Sequence, residues 1–470
     1  MRNTKERTRV SLLLALTLAA CGGGGGGGDA ATPGASSADT TTGTAPAADP
    51  SAGGAPVAAP APGSGGAATG AQFAAFGPVT VAPSVTFEGG NAGAEGPKVA
   101  RLAGGGAVIA WKQAGALVAQ QVDAAGNLVG AQQSVASQAT IFSVAGLPGG
   151  EWVVAWSAAT VPPDAVRSFT VTVQTRRYGA DGTLLQDTTL VNPEPVQSID
   201  AGLDVAATAD SGYVVAWSAR SSLAGPRQVL MQRFSAGGAA AGGPATATAP
   251  TAADQTQPRV VPLADGTVVL AWLQDAGGGA TGAPSFAIHT RPFSSASAPL
   301  EAERQVAASV GSAAFPFAAA PVDDDHIGLV WAQPSSVTNT EPIQARWQIL
   351  DAEGDLESPV GGITVGPLID SVAIAPAGRG FTAFVQVVNG NPRGTAANIG
   401  SIAVDNDGAA AATALAPVVD RSLNSVAPLT GTTTGPAGPA FSVSGGSDGR
   451  YVLAYESATA TGAEVDALGK

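Results

Sequence analysis

Short apolar runs recur along the chain, each opened by a polar turn and closed by an aromatic residue. The clearest is "ADGTVVLAW" at 264–272. Further copies are "AGGGAVIAW" ending at Trp111, "PGGEWVVAW" at Trp156, "DSGYVVAW" at Trp217 and "DDHIGLVW" at Trp331. Weaker copies, "GRGFTAF" and "DGRYVLAY", end at Phe384 and Tyr455. An unbroken apolar run of this length, rich in Val and Ile and bounded by turn formers, predicts a strand covered on both faces. The seven marks stand 45, 61, 55, 59, 53 and 71 residues apart, the spacing of a repeat architecture.

Each unit holds more than this one strand. Upstream lies a short extended piece, as in "PKVARL" (97–102), "LDVAAT" (203–208), "PRVVPL" (258–263) and "DSVAIA" (370–375). Downstream, after a variable loop, a third strand ends in a turn. Examples are "VAQQVDAAGN" (118–127), "TRRYGADGT" (175–183), "LMQRFSAGG" (230–238), "WQILDAEGD" (347–355) and "SIAVDNDGA" (401–409). A fourth strand follows, as in "DTTLVNP" and "GGITVGP". The third-to-fourth connections suit tight hairpins, where Gly and Asn accept positive φ cheaply. No helical period of useful length intervenes.

Four short antiparallel strands repeated seven times predict an all-β, seven-bladed β-propeller, the radial arrangement that leaves only short, protected sheet edges. The expected blades span roughly 96–137, 138–197, 198–250, 251–309, 310–367, 368–420 and 421–470 within a body at 73–470. The last unit ends at "VDALGK", matching "VDAAGN" of the first, and so lacks a fourth strand; the orphan piece "GPVTVAPSVTF" at 77–87 is expected to complete it and close the ring. The recurring aromatic, ending the second strand, is expected to fill the wedge between blades. Trp152 and Trp347 lie off that position and are expected in packing or at the rim.

The units resemble the "L-x-D-G-G-x-V-V-x-W … A-Q-R-F-D-x-x-G" tandem repeats of large secreted and surface proteins of Gram-negative bacteria. Val229–Ser235 and Leu263–Trp272 are the closest copies. The resemblance implies a propeller-like fold and no specific activity. Kelch and WD signatures are absent.

The N-terminus has the layout of a secretory signal at 1–20. Arg2, Lys5, Arg7 and Arg9 precede an uncharged segment at 10–20, which is too short to span a bilayer. Leu18-Ala19-Ala20-Cys21 resembles the bacterial lipobox, which implies lipidation of Cys21 and cleavage before it. By resemblance to enteric lipoproteins, Gly22 in place of Asp after the cysteine implies the outer membrane. Cys21 is the single cysteine, so no intramolecular disulfide is possible. From 22 to about 71 the chain is a Gly/Ala/Pro/Ser/Thr tract whose only charges are Asp29, Asp39 and Asp49. It is expected to be a disordered tether with a reach of roughly 35–45 Å.

The formal charge is −14, and −17 once residues 1–20 are removed (18 basic against 35 acidic). That sign disfavours nucleic acid as a partner. His289 and His326 are the only histidines; both are expected to face solvent, and two histidines without a free cysteine do not make a zinc site. Asp323-Asp324-Asp325 and Asp405-Asn406-Asp407-Gly408 resemble the openings of calcium loops but lack the later ligands, and are expected to be turns. No nucleophile elbow, phosphate loop or dinucleotide fingerprint is present, and the sialidase Asp-box spacing is not met. No cofactor, metal or catalytic residue is assigned. The expected function is a non-enzymatic binding or scaffolding module for a protein or glycan in the cell envelope. Its candidate contact loops are the longest insertions, at 160–168, 275–285, 335–342 and 430–439. The alternatives are an envelope carbohydrate-active enzyme, which would gather two or three acids with an Arg or Tyr at the ring's centre, and an accessory subunit of an envelope assembly complex.

Overall fold

A computed structural model describes residues 75–85, 96–113, 115–160, 170–192, 202–222, 225–248, 251–275, 285–310, 315–333, 343–366, 369–388, 397–419, 441–459 and 462–470. Among them there is no helix, and the strands form seven four-stranded antiparallel sheets. In six sheets the strands pair in chain order: blade one spans 98–136, blade two 142–190, blade three 203–246, blade four 255–310, blade five 317–366 and blade six 369–419. The seventh joins 441–469 to Phe76–Val85, which pairs with the blade's third strand from Phe76↔Gly469 to Val85↔Ala463. The first strands of neighbouring blades pack side by side around the axis, and that of blade seven packs on that of blade one.

The repeated motif is the second strand from the axis. Tyr213–Ala219 is buried at every position, because each second strand is sandwiched between neighbouring blades. The fourth strands form the rim and are largely exposed, as in Leu128–Ala136 and Leu184–Leu190. Leu128, Leu184 and Leu356, at the start of three rim segments, are each about half exposed.

The closing aromatic packs on the preceding blade. Trp272 of blade four lies among Val214, Ala216 and Met231 of blade three; Trp217 lies among Val153, Ala155 and Val173 of blade two; and Trp111 lies among Val452, Ala454 and Val465 of blade seven. Blade six departs from the expectation. Its first turn is closed by Ala377 N–H to Gly380 O, one residue shorter than the Val322-to-His326 closure of blade five. The register therefore slips by one, and a one-residue slip exchanges the two faces of a strand. Val385, not Phe384, faces blade five, while Phe384 packs with Phe441, Leu453 and Tyr455 at the blade-seven gap. Trp347 on blade five supplies the bulk that Val385 lacks. It is buried in the same gap, and its Nε1 donates to the Gly408 carbonyl of blade six at 3.0 Å. Trp152 is likewise a packing residue, stacked on Tyr178 with centroids 4.0 Å apart.

Further links cross the gaps near the turns. Gln121 donates to Ala180 O, Arg177 to Ala236 O, and Arg233 to Ser295 O and Gly266 O, each reaching a turn of the next blade. The ring is closed by Arg101 of blade one and Asp448 of blade seven, paired through both carboxylate oxygens at 2.7 and 3.0 Å. Arg101 also donates to Arg450 O.

In blades one to four the turn after the first strand places its fourth residue in the left-handed region. Gly105, Gly150 and Gly266 take φ of 88°, 87° and 88° there, whereas blade three has Ser211 at 64°. A side chain is strained in that region. Ser211→Gly is expected to raise unfolding free energy by about 0.5–1 kcal/mol, read by denaturant unfolding; an unchanged or lower midpoint contradicts the strain. Trp272→Ala leaves a wedge unfilled and should cost about 3–5 kcal/mol, whereas Leu356→Ser on the rim should stay within about 0.5 kcal/mol. The hydrogen bond and charge of Arg101 hold the Asp448 carboxyl below its ordinary value of 3.8. A folded pKa below the unfolded one stabilises above the unfolded value, and the effect is lost as pH falls through the folded pKa. The melting-temperature gap between wild type and Asp448→Asn should thus be widest near neutrality and close as pH falls from about 5 toward 2; a gap independent of pH refutes the coupling.

Candidate functional site

Strand direction sorts the connections onto two faces. The tight turns at 102–106, 147–151, 208–212 and 263–267, and the hairpins at 123–127, 179–183 and 235–239, share one face. The links between second and third strands, and those from one blade to the next, share the other, here called the loop face. Phe76 pairs with Gly469 beside the 446–450 turn, so the chain enters the ring from the turn face. The strand ends that flank the expected contact loops lie on the loop face. Apart from the end residues Thr160, Asp275 and Ser285, those loops lie outside the described residues, as do Cys21, the signal segment and the tether.

Along the axis the seven first strands enclose a channel of roughly 440 Å³. Its wall is layered, because these strands share one register. Four residues before each turn stand Lys98, Ser143, Asp204, Arg259, Ala318, Ala373 and Ser442. Each pairs with the equivalent position on its second strand, from Lys98↔Ala110 and Arg259↔Ala271 to Ser442↔Ala454. One residue closer to the turns lies an apolar layer, with Val99, Val144, Val205, Val260 and Val443 joined by Ala319 and Ile374. Small residues follow, and Arg101 stands at the turn-face end.

The polar layer also pins neighbouring blades. A first strand has one edge without a strand partner, and unpaired backbone donors there are costly if buried. Ser143 Oγ donates to Asp204 Oδ1 (3.0 Å), whose own Oδ2 accepts from Val260 N–H of blade four (2.9 Å). Asp204 Oδ1 accepts its neighbour Val205 N–H as well (3.0 Å). Across the closure, Ser442 Oγ accepts from Val99 N–H and Ser444 Oγ from Arg101 N–H (3.3 and 2.9 Å). Arg259 donates to Pro258 O and lies over the Phe317 ring of blade five, 5.3 Å from its centroid. Asp204 is the one carboxylate among the described residues of the channel wall.

His289 does not face solvent as expected. It is buried on blade four, with Nδ1 2.8 Å from Glu303 Oε1 and its ring stacked on Trp272. Facing positions on adjacent strands bring it there, since His289 pairs directly with Trp272. His326 is half exposed, with Nδ1 2.7 Å from Asp323 Oδ1. Burial would raise the Asp323 carboxyl, but hydrogen bonds from the Asp325 and His326 backbones and the His326 ring outweigh it and hold it low. Asp323 and Asp405 both cap their own turns, Asp405 accepting from Asp407 and Ala409 N–H. Among the described residues, no group of three or more His, Cys, Asp or Glu side chains is placed to hold a metal. No described helix is long and apolar enough to cross a membrane. The residues missed in the sequence are Lys98, Asp204 and Arg259; counting back four from each turn would have aligned them.

No protein-family model matches the chain, and no curated protein matches it at a significant level. Solved structures do share the fold. The polysaccharide lyase Uly1 aligns with a TM-score of 0.54 at 10% identity, over 83% of this chain and 98% of that one. An α-L-arabinanase of Penicillium chrysogenum complexed with arabinobiose gives 0.43 at 12%, over 84% and 98%. The Dos1 propeller gives 0.40 at 9%, over 84% and 94%. Identity this low speaks for architecture alone. The chain is a seven-bladed β-propeller.

Proposed function

We propose that this propeller is a lipid-anchored, non-enzymatic binding or scaffolding module of the bacterial cell envelope, attached to the outer membrane through Cys21 and engaging a protein or glycan by its loop face. The observation that carries this reading is the contrast between a uniform interior and an individual loop face. Every gap around the ring is filled by large buried side chains, six of them by the closing aromatic, whereas the loop-face connections differ in length from blade to blade. A rigid ring carrying unequal loops is how scaffolds present contact surfaces. Glycoside hydrolysis draws on a pair of carboxylates. Asp204 of the channel wall instead accepts three hydrogen bonds that join blades two, three and four.

The anchor rests on the cationic segment, the short apolar core and Cys21 in their sequence order. Acylation with more than one chain gives stable attachment. The net negative charge accords with partners other than nucleic acid.

Crosslinking in intact cells followed by affinity capture of the full chain tests the reading. A single protein partner recovered in constant ratio, or retention of an unaltered glycan, is expected. Depolymerisation of an envelope polysaccharide by the purified protein would overturn it in favour of an enzyme. Cys21→Ser should move the protein from the membrane fraction to the soluble one; retention on the membrane refutes the anchor.

A further inference from the structure

We infer that Gln257, on the first strand of blade four at the loop-face mouth of the channel, is a contact residue for an uncharged glycan that carries acetamido groups. This deepens the binding-module reading and rests on it. Blades two, three, five and seven each set one apolar residue of the first strand against the closing aromatic, as Phe142↔Trp156, Leu203↔Trp217, Phe317↔Trp331 and Phe441↔Tyr455. Blade four sets two residues against Trp272, because its register jumps from Thr256↔Leu273 to Arg259↔Ala271. Pro258 is buried in the apolar residue's place, so Gln257 is the inserted one. Leu203 and Phe441, at the position of Pro258 in their own blades, line the channel, which puts Gln257 just outside its loop-face end. The φ of Gln257 is 52°, in the left-handed region where a side chain is strained. Bulges that re-aim a single side chain gather beside functional sites.

The surroundings hold this conformation in place. Gly202 of blade three comes so close that a Cβ on it would lie 2.7 Å from Gln257 Cα. Two residues before the bulge, Gln255 is fully buried. Its carbonyl accepts from Ser218 Oγ at 2.5 Å, and its side-chain amide is joined to Thr248 and Gln274. Asp254 in turn accepts from Arg220 and from both the backbone and the side chain of Arg227. A strand end pinned on both sides keeps its one inserted side chain in place, which spares a ligand the cost of ordering it.

The chemistry on offer is that of an amide. The Gln257 side chain is half-buried and has no hydrogen-bond partner among the described residues. It presents a carbonyl acceptor beside an NH₂ donor, a pair that a second amide answers with two parallel hydrogen bonds. Arg220 and Arg227 are drawn onto Asp254, so the neighbouring guanidinium groups do not call for an anion. Ser221, Ser222, Thr251 and Thr256, the polar residues beside this network, are small, hydroxylic and open to solvent at least in part. Among the described residues from 202 to 299 no large apolar side chain is exposed. Peptide side chains would find no apolar pocket there, whereas the hydroxyls of a sugar would find partners, and an acetamido sugar adds the amide.

Isothermal titration of the full chain with chitohexaose, cellohexaose and tetraalanine tests the site. Chitohexaose should bind, and cellohexaose, which lacks acetamido groups, should bind at least about tenfold more weakly. Gln257→Ala and Gln257→Gly should each weaken chitohexaose binding by about tenfold, whereas Gln133→Ala on the rim of blade one should not. Circular dichroism reports whether each variant folds. Gln257→Gly should also raise the melting temperature, since glycine takes a positive φ without strain. Stability gained where binding is lost is the mark of a residue strained for recognition. Binding unchanged by both Gln257 variants, equal binding of cellohexaose, or uptake of tetraalanine in place of chitohexaose overturns the assignment. If none of the three binds, the site falls and the binding-module reading stands. Cleavage of bound chitohexaose overturns the binding-module reading and leaves the site.

Discussion

Everything in this ring depends on filling the wedge between adjacent sheets. Two twisted sheets that diverge from a common axis leave a gap that widens outward, and protein interiors do not tolerate voids. A large flat side chain at the end of the second strand meets that demand, and each gap needs its own. The demand is on volume, not on one residue at one place. Blade six shows this: a turn shorter by one residue presents Val385 where an aromatic stands elsewhere, and Trp347 fills the same gap from the opposite wall. Phe384, displaced to the other face, then thickens the following gap.

The same constraint explains what could be read from the chain. A strand buried on both faces must be apolar throughout, so its signature is unbroken and survives divergence. The rim strands are exposed on one side and free to vary, which leaves them faint. The position of Phe384 was misread because a strand's face depends on turn length, and one missing residue in a turn of Ala, Gly and Arg leaves no mark in hydrophobicity. His289 was placed in solvent because alternation along a third strand does not reveal that the opposite strand offers Trp272 as a stacking surface. The channel layer was invisible for a different reason. Its seven members are Lys, Ser, Asp, Arg, Ala, Ala and Ser, and only a shared register makes them a set.

That layer shows how one position can serve two ends. At Ser143, Asp204 and Ser442 the side chain satisfies or joins the open edge of a neighbouring first strand. At Arg259 the same position instead reaches toward the next blade, donating to Pro258 O and lying over the Phe317 ring. Repeats of this kind keep the wedge and the edge pairing under constraint and release single inner positions, blade by blade, for chemistry. The loop face has the same freedom on a larger scale.

Closure of the seventh blade has a consequence in time. Phe76–Val85, the first strand of the body to be made, finds its place only against the last, since Phe76 pairs with Gly469. Contacts so distant along the chain are slow to form. Until that strand is made this segment lacks its pairing partner, and open sheet edges invite pairing between molecules. Completion of the circle is therefore the moment at which these exposed edges become protected ones, and it cannot come before the strand that ends at Gly469 is delivered.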